Sequence, residues 1–332
     1  MKSLTRNKEI KGPKLGPFSA SKTKRVQSPL SKSDSVVKVI LSLFGFISAS
    51  FIVFILFFIT TRGILPFITN NNGLGSVNFF SFISGTVWLN GPTFVSTAYS
   101  AGFLIINTLY IAFLSLLLSF PIGVLTALFI AKIAPKHVAN FLRTVIELLA
   151  SIPSIVYGLV GVGLFLPAIY SFARSLGYSS GGGSGTLATV IVLALMSIPT
   201  ITSISEVSIR SVDESLEHAS LALGATPTQT RFKISLLAAK SGIFSGAILA
   251  IGRSLGEATA VSLVAGNAKS GPTFGLFDIT STLTSTMLEG LKETTGIDYD
   301  IRFSVGIILM VVILLTNFLL NQLKNRIGHQ YE

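Results

Sequence analysis

Two charged residues interrupt the apolar run LAIGRSLGEATAVSLVAG at 249–266: Arg253 and Glu257, four residues apart. A charge at the middle of a membrane span costs about 2.5–3.5 kcal/mol on insertion scales, so a charge kept there calls for a partner or a task. On a continuous helix this spacing puts both side chains on one face, where they can partly neutralise each other. One task that would fit is passage of an oxyanion. Arginine stays protonated, is less strongly hydrated than lysine, and its planar fork matches phosphate oxygens. A bare arginine would hold the anion too firmly, whereas a glutamate one turn away competes for the same donors and lets it leave. The pair can equally be a brace between packed helices, a role an apolar pair would often fill as well. Gly242, Gly246, Gly252 and Gly256 repeat at the same spacing, so close helix approach is expected along this span. Glu147, near the start of another apolar run, is either a second path residue or a boundary residue in water.

Other chemistries find no support. The chain has no G-x-x-x-x-G-K-[ST] run, since GNAKSGP at 266–272 does not match, and no G-x-S-x-G nucleophile turn. His137, His218 and His329 are scattered without metal-ligand spacing, and there is no cysteine for a thiolate site or a disulfide. No metal site, cofactor site or catalytic residue is expected in this chain.

The elements that must position Arg253 and Glu257 belong to a membrane protein. Only 12% of the 332 residues are charged and the mean hydropathy is +0.72, about half the charge of a soluble domain. Apolar runs at 39–60, 101–130, 138–169, 187–204, 243–265 and 304–320 are long enough, or nearly so, to cross about 30 Å of hydrocarbon as helices. The fold class expected is all-α, polytopic, with six spans in the cell membrane. Residues 1–38 hold ten Lys/Arg against Glu9 and Asp34, which reads as a disordered basic tail that keeps its side in the cytoplasm and favours anionic lipid over nucleic acid. Threading six spans from there leaves 19 basic residues inside, five outside (Arg62, Arg174, Lys269, Lys292, Arg302) and Arg253 in the bilayer. Both termini are therefore expected in the cytoplasm.

The expected domains are the tail (1–38), a first span (39–60), an external segment (61–100), a five-helix membrane domain (101–323) and a short tail (324–332). In the external segment, Phe79, Phe80, Phe82 and the lone Trp88 suit a membrane interface. GGGSG at 181–185 reads as a flexible connector, and a helix is expected near 279–292. SIPSI (151–155) and SIPTI (197–201) look like matching proline interruptions, a hint of an internal repeat.

On the cytoplasmic side, 211–240 reads as two helices meeting at a corner. Ser211 with Glu214 has capping-box spacing, Val212, Leu216, Ala219 and Leu223 form a stripe, and Gly224 suits a C-terminal cap. Thr226, Pro227 and Gln229 then start the second helix. A short amphipathic helix here can lie in the interface, pack on its own protein, or dock into a partner's groove.

The run EHASLALG, nine further residues, and Ile234-Ser235-Leu236 resembles the EAA loop of ABC importer permeases. The motif's glutamate falls on His218, with Glu217 one place early, and its closing proline is Leu237. The resemblance covers most of 103–323. ELLASIPSIVYGLVG, ASLALGAT, AIGRSLGEA and AVSLVAGN are similar to the phosphate-specific permeases of the PstC and PstA pair, more so to the PstC branch.

The resemblance implies a type I ABC importer fold and a coupling loop at 211–240 that seats on a separate ATPase. Glu217, His218, Ala219, Gly224, Ile234 and Leu236 would serve that coupling. It further implies a second permease subunit, an ATPase dimer that carries ATP and Mg²⁺, and an extracytoplasmic phosphate-binding protein. The same machine for sulfate or molybdate, or an ion-coupled carrier with Glu257 relaying protons, are the other functions weighed.

Overall fold

In lipid a backbone can pair its polar groups cheaply only within its own segment, and the long apolar stretches duly become helices. The computed structural model describes residues 32–71, 75–89 and 99–328. In chain order the helices are α1 (Lys32–Ile68), α2 (Phe79–Ser84), α3 (Gly102–Leu128), α4 (Lys136–Ser151), α5 (Ser154–Val160), α6 (Leu166–Ser175), α7 (Thr186–Arg210), α8 (Glu214–Ala222), α9 (Pro227–Thr230), α10 (Leu236–Ala238), α11 (Lys240–Gly256), α12 (Thr259–Val264), α13 (Leu283–Leu288) and α14 (Ile297–Gly328). Wide π turns at 129–133, 161–165 and 231–235 extend α3, join α5 to α6 and join α9 to α10. Among the described residues there is no β-strand, only isolated bridges. The described residues up to Phe54 form one unit and those from Ile55 onward a second.

Among the described residues, five helical runs are long and apolar enough to cross a bilayer: 35–68, 102–133, 154–175, 186–210 and 297–326. A sixth exists if 227–238 and 240–256, which meet at 65°, form one broken span. The span expected at 138–169 is displaced. Pro153 carries no donor to continue a helix, so α4 stops at Ser151 as a separate amphipathic helix, and the crossing run is α5–α6. The matching SIPTI does not interrupt anything: Pro199 lies inside continuous α7, so the two motifs are no structural repeat. The expected basic tail lies outside the described residues up to position 31, and residues 32–38 are already helical.

Helix α7 is the axis of the second unit, packed between α3 and α11, with α14 against α11 and α12 against α5. Small residues set these crossings. A Cβ at Gly123 of α3 would lie 2.8 Å from the Ile201 side chain, and one at Gly242 would lie 2.0 Å from Ser208 Oγ. Further along α11 the glycine repeat loses its neighbour: Gly252 has only Asn317 Oδ1 at 3.8 Å, and Gly256 has nothing within 4 Å. Half of the repeat makes a helix crossing. The other half borders open space.

Two loop expectations are corrected. GGGSG is no slack connector, because Gly183 and Gly185 have φ of +88° and +144°, and Cβ atoms there would strike the backbone of Leu166 and Asp278. The hydrogen bonds Gly185 N to Val264 O (2.9 Å) and Thr186 N to Asp278 O (3.0 Å) lock this turn onto the start of α7. Trp88 and Phe82 are not interface anchors either. They are buried with Val77, Tyr99, Phe103 and Leu283, while Phe79 and Phe80 remain exposed.

Candidate functional site

The chain does not carry Arg253 and Glu257 on one helical face. Helix α11 ends at Gly256, and Glu257 is extended, with φ −76° and ψ 118°. Its carboxylate turns toward the next helix. Glu257 Oε1 accepts from Thr259 Oγ1 at 2.8 Å and from Ala260 N at 3.1 Å, capping the first turn of α12. The break is tied on three sides: Ser254 to Ser197 (3.1 Å), Thr259 to Ser154 (2.8 Å), and Thr284 Oγ1 to the Glu257 carbonyl (2.7 Å). The expected i,i+4 pair is therefore absent, because the turn that would align it is spent on starting a second helix.

Arg253 is left in the last turn of α11, where unpaired carbonyls and the negative end of the helix dipole favour a cation. Among the described residues it makes no ion pair. It lines a cleft of about 620 Å³ between α7, α11 and α14, together with Thr200, Asn317 and Asn321 and the apolar Ile248, Leu249 and Ile313. An arginine with free donors, flanked by a hydroxyl and two carboxamides over apolar walls, can take an oxyanion from water and hold it loosely. Glu147 is elsewhere: it is exposed on α4 and lines none of this cleft.

The corner at 211–240 has the two helices expected, with one cap reassigned. Asp213, not Ser211, caps α8 by accepting from Ser215 N at 2.8 Å, and that contact holds its carboxyl below the ordinary range. Ser211 Oγ donates back to Ser208 O instead. Gly224 has φ +87°, the left-handed conformation that ends a helix. Thr226 and Gln229 form the reciprocal box that starts α9. None of α8 is buried. Leu216, Leu221 and above all Leu223, 90% exposed, face outward, as do His218 and Ala219. Ile234 and Leu236 are half-buried beneath.

Glu217 points the other way. Its Oε1 receives Lys132 Nζ at 2.6 Å and Ser235 Oγ at 2.9 Å. Burial alone would raise its pKa, but these two contacts outweigh burial and hold it below the ordinary 4.5.

A buried carboxylate escaped the sequence reading. Glu206, 6% exposed on α7, gathers Arg143 Nη2 at 2.5 Å and Arg210 Nε at 2.8 Å, while Arg210 Nη2 donates to the Ile130 carbonyl at 3.2 Å. This knot ties α4, α7 and the end of α3. Its signal was the same one that marked Arg253: a glutamate and an arginine four apart in an apolar run. At the opposite end Arg302, counted among the five external basic residues, is 1% exposed and donates to Thr286 O at 2.6 Å.

The chain matches known proteins over this same architecture. Residues 119–329 match the family of binding-protein-dependent transport system inner membrane components. A probable ABC transporter permease protein of Bacillus subtilis, YqgH, is 35% identical over 271 residues, covering 81% of this chain and 84% of the relative. The phosphate transport system permease protein PstC of Pasteurella multocida is 29% identical over 271 residues, covering 76% and 84%. Among solved structures, a chain of a bacterial alginate ABC transporter in complex with an alginate-bound periplasmic protein superposes with a TM-score of 0.58 at 18% identity, covering 89% of this chain and 98% of that one. A chain of the MetNI methionine ABC transporter gives 0.51 at 21% identity, covering 68% and 94%. The chain belongs to the binding-protein-dependent transport system inner membrane components, the membrane-spanning permease subunits of ABC importers.

Proposed function

We propose that this chain is a permease subunit of an ATP-driven importer of inorganic phosphate, and that Arg253 meets the anion on its path. The observation that carries the reading is an arginine without an ion pair among the described residues, in a cleft with Thr200, Asn317 and Asn321, on helices otherwise apolar enough for lipid. The phosphate transport names of relatives such as PstC support the substrate. Glu257, capping α12, is a fixed part of the hinge at 257–258 rather than a movable competitor. Release then has to come from a change in the cleft itself, as α11 and α12 pivot about their break, and this is work for an external energy source. Nothing at Glu257 favours a proton relay, because its carboxylate is engaged by Thr259 and Ala260.

The remaining components follow the family pattern: a second, similar permease, an ATPase dimer that holds ATP and Mg²⁺, and an extracytoplasmic phosphate-binding protein. The exposed face of α8, with His218, Ala219 and the corner at Gly224, is the surface for the ATPase; Ile234 and Leu236 support it from beneath. The excess of Lys/Arg at 1–38, 132–143 and 210–240 supports a cytoplasmic position for this face and for both termini.

The test is uptake of labelled phosphate by the assembled complex. Arg253→Gln is expected to lower uptake at least about tenfold, the lower bound set by a charged hydrogen bond worth about 1.5–3 kcal/mol, with the complex still recovered intact. Arg253→Lys, keeping charge without the fork, falls between. Full uptake by Arg253→Gln overturns the role of this residue. Excess sulfate competing as well as unlabelled phosphate moves the assignment to the sulfate class.

A further inference from the structure

We propose that Glu217 is an internal link that carries movement of α8 into the second membrane-spanning helix through Lys132, and is not a group offered to the partner ATPase. The proposal rests on the permease reading above. With no residue of α8 buried, side-chain packing gives a push on this helix little to grip. The specific links are the polar bonds that reach back from it. One of these, Ser220 to Thr230 at 2.9 Å, stays within the corner. The Glu217 carboxylate reaches the spans.

Its two partners occupy equivalent places. Lys132 lies in the π turn 129–133 that ends the α3 span, and Ser235 closes the π turn 231–235 that leads toward α11. Both turns close with wide hydrogen bonds, Ala134 N to Phe129 O and Leu236 N to Arg231 O. A π turn holds one residue more than an α turn and is a common site of register change, so it is a joint that a tug on one side chain can shift. A single carboxylate oxygen grips both joints. Side chains of Lys132 and Glu217 are 16% and 20% exposed, so the pair is largely shielded from salt, and both groups on this oxygen belong to the chain itself. His218, next along the chain, is exposed. At the tip of α8 the exposed side chain is therefore the imidazole, while the glutamate one residue earlier is bonded inward.

The experiment uses the whole complex in proteoliposomes and reads substrate moved per ATP hydrolysed. Glu217→Gln, which keeps an acceptor for Ser235, and Lys132→Gln are each expected to lower that ratio about tenfold, toward the small end of typical allosteric couplings. The exchanged pair Glu217→Lys with Lys132→Glu is expected to recover at least half of the loss. A pair that only stabilises the fold lowers complex yield, uptake and hydrolysis together and leaves the ratio unchanged; that result overturns the proposal, as does an exchange no better than the single variants. Unaltered complex that moves substrate without hydrolysing ATP defeats the permease reading itself, and is seen before any variant is compared.

Discussion

Arg253 lacks a carboxylate partner among the described residues, but its helix ends three residues later, so the field of the helix terminus takes over part of the work of a counter-ion. Glu206 shows the opposite arrangement, one carboxylate shared by Arg143 and Arg210. Its removal should be mild for a buried group. The side chains of Arg143 and Arg210 are 38% and 44% exposed and can reach water once released. Glu206→Gln is therefore expected to cost about 1 kcal/mol rather than the 3–5 kcal/mol of a stranded buried charge, measured as a small drop in the melting temperature of the solubilised chain. The two sites also show what was legible. A glutamate and an arginine four apart in apolar chain predict an ion pair wherever the helix runs on, and 206/210 honours that. At 253/257 the same spacing fails because the side chains of Glu257 and Thr259 start a new helix, and an i,i+4 count does not weigh that competition.

At the scale of elements, glycine spacing marked the right helix but only part of the right surface. Gly242 and Gly252 are indistinguishable in a spacing pattern, yet one faces Ser208 and the other a cleft. Gly242→Val should force α7 and α11 apart at an overpacking cost of about 1–3 kcal/mol, seen as lower yield and melting temperature. Gly256→Ala, with open space around it, should leave both unchanged. The corner at 223–229 was legible almost to the residue, because Gly224, Thr226, Pro227 and Gln229 act through local backbone chemistry. Proline was not: Pro153 ends α4 and Pro199 leaves α7 intact, and only the packing around each decides.

The acid behaviour of α8 also belongs to this scale. The pKa of Glu217 is lower folded than unfolded, so its contribution is complete above the ordinary 4.5 and lost as pH falls through the folded value. A nitroxide on Ala222→Cys, in a chain with no other cysteine, should show constant mobility across neutral pH and a rise only below the ordinary carboxylate value of 4.5.

Across the whole molecule, hydropathy and family motifs identified the class and most spans, because lipid leaves a backbone few options. Hydropathy did not separate α4 from the crossing run α5–α6, because the break at Pro153 falls inside one apolar stretch. The outward leucines of α8 carry a last consequence. A copy made without its companions would display Leu223 and Leu216 as greasy bait to the proteases and chaperones that survey new proteins. The amount of this subunit in a cell should then follow the supply of its ATPase: without that companion, pulse-labelled protein is expected to decay several-fold faster, and Leu223→Ser with Leu216→Ser to restore much of its lifetime.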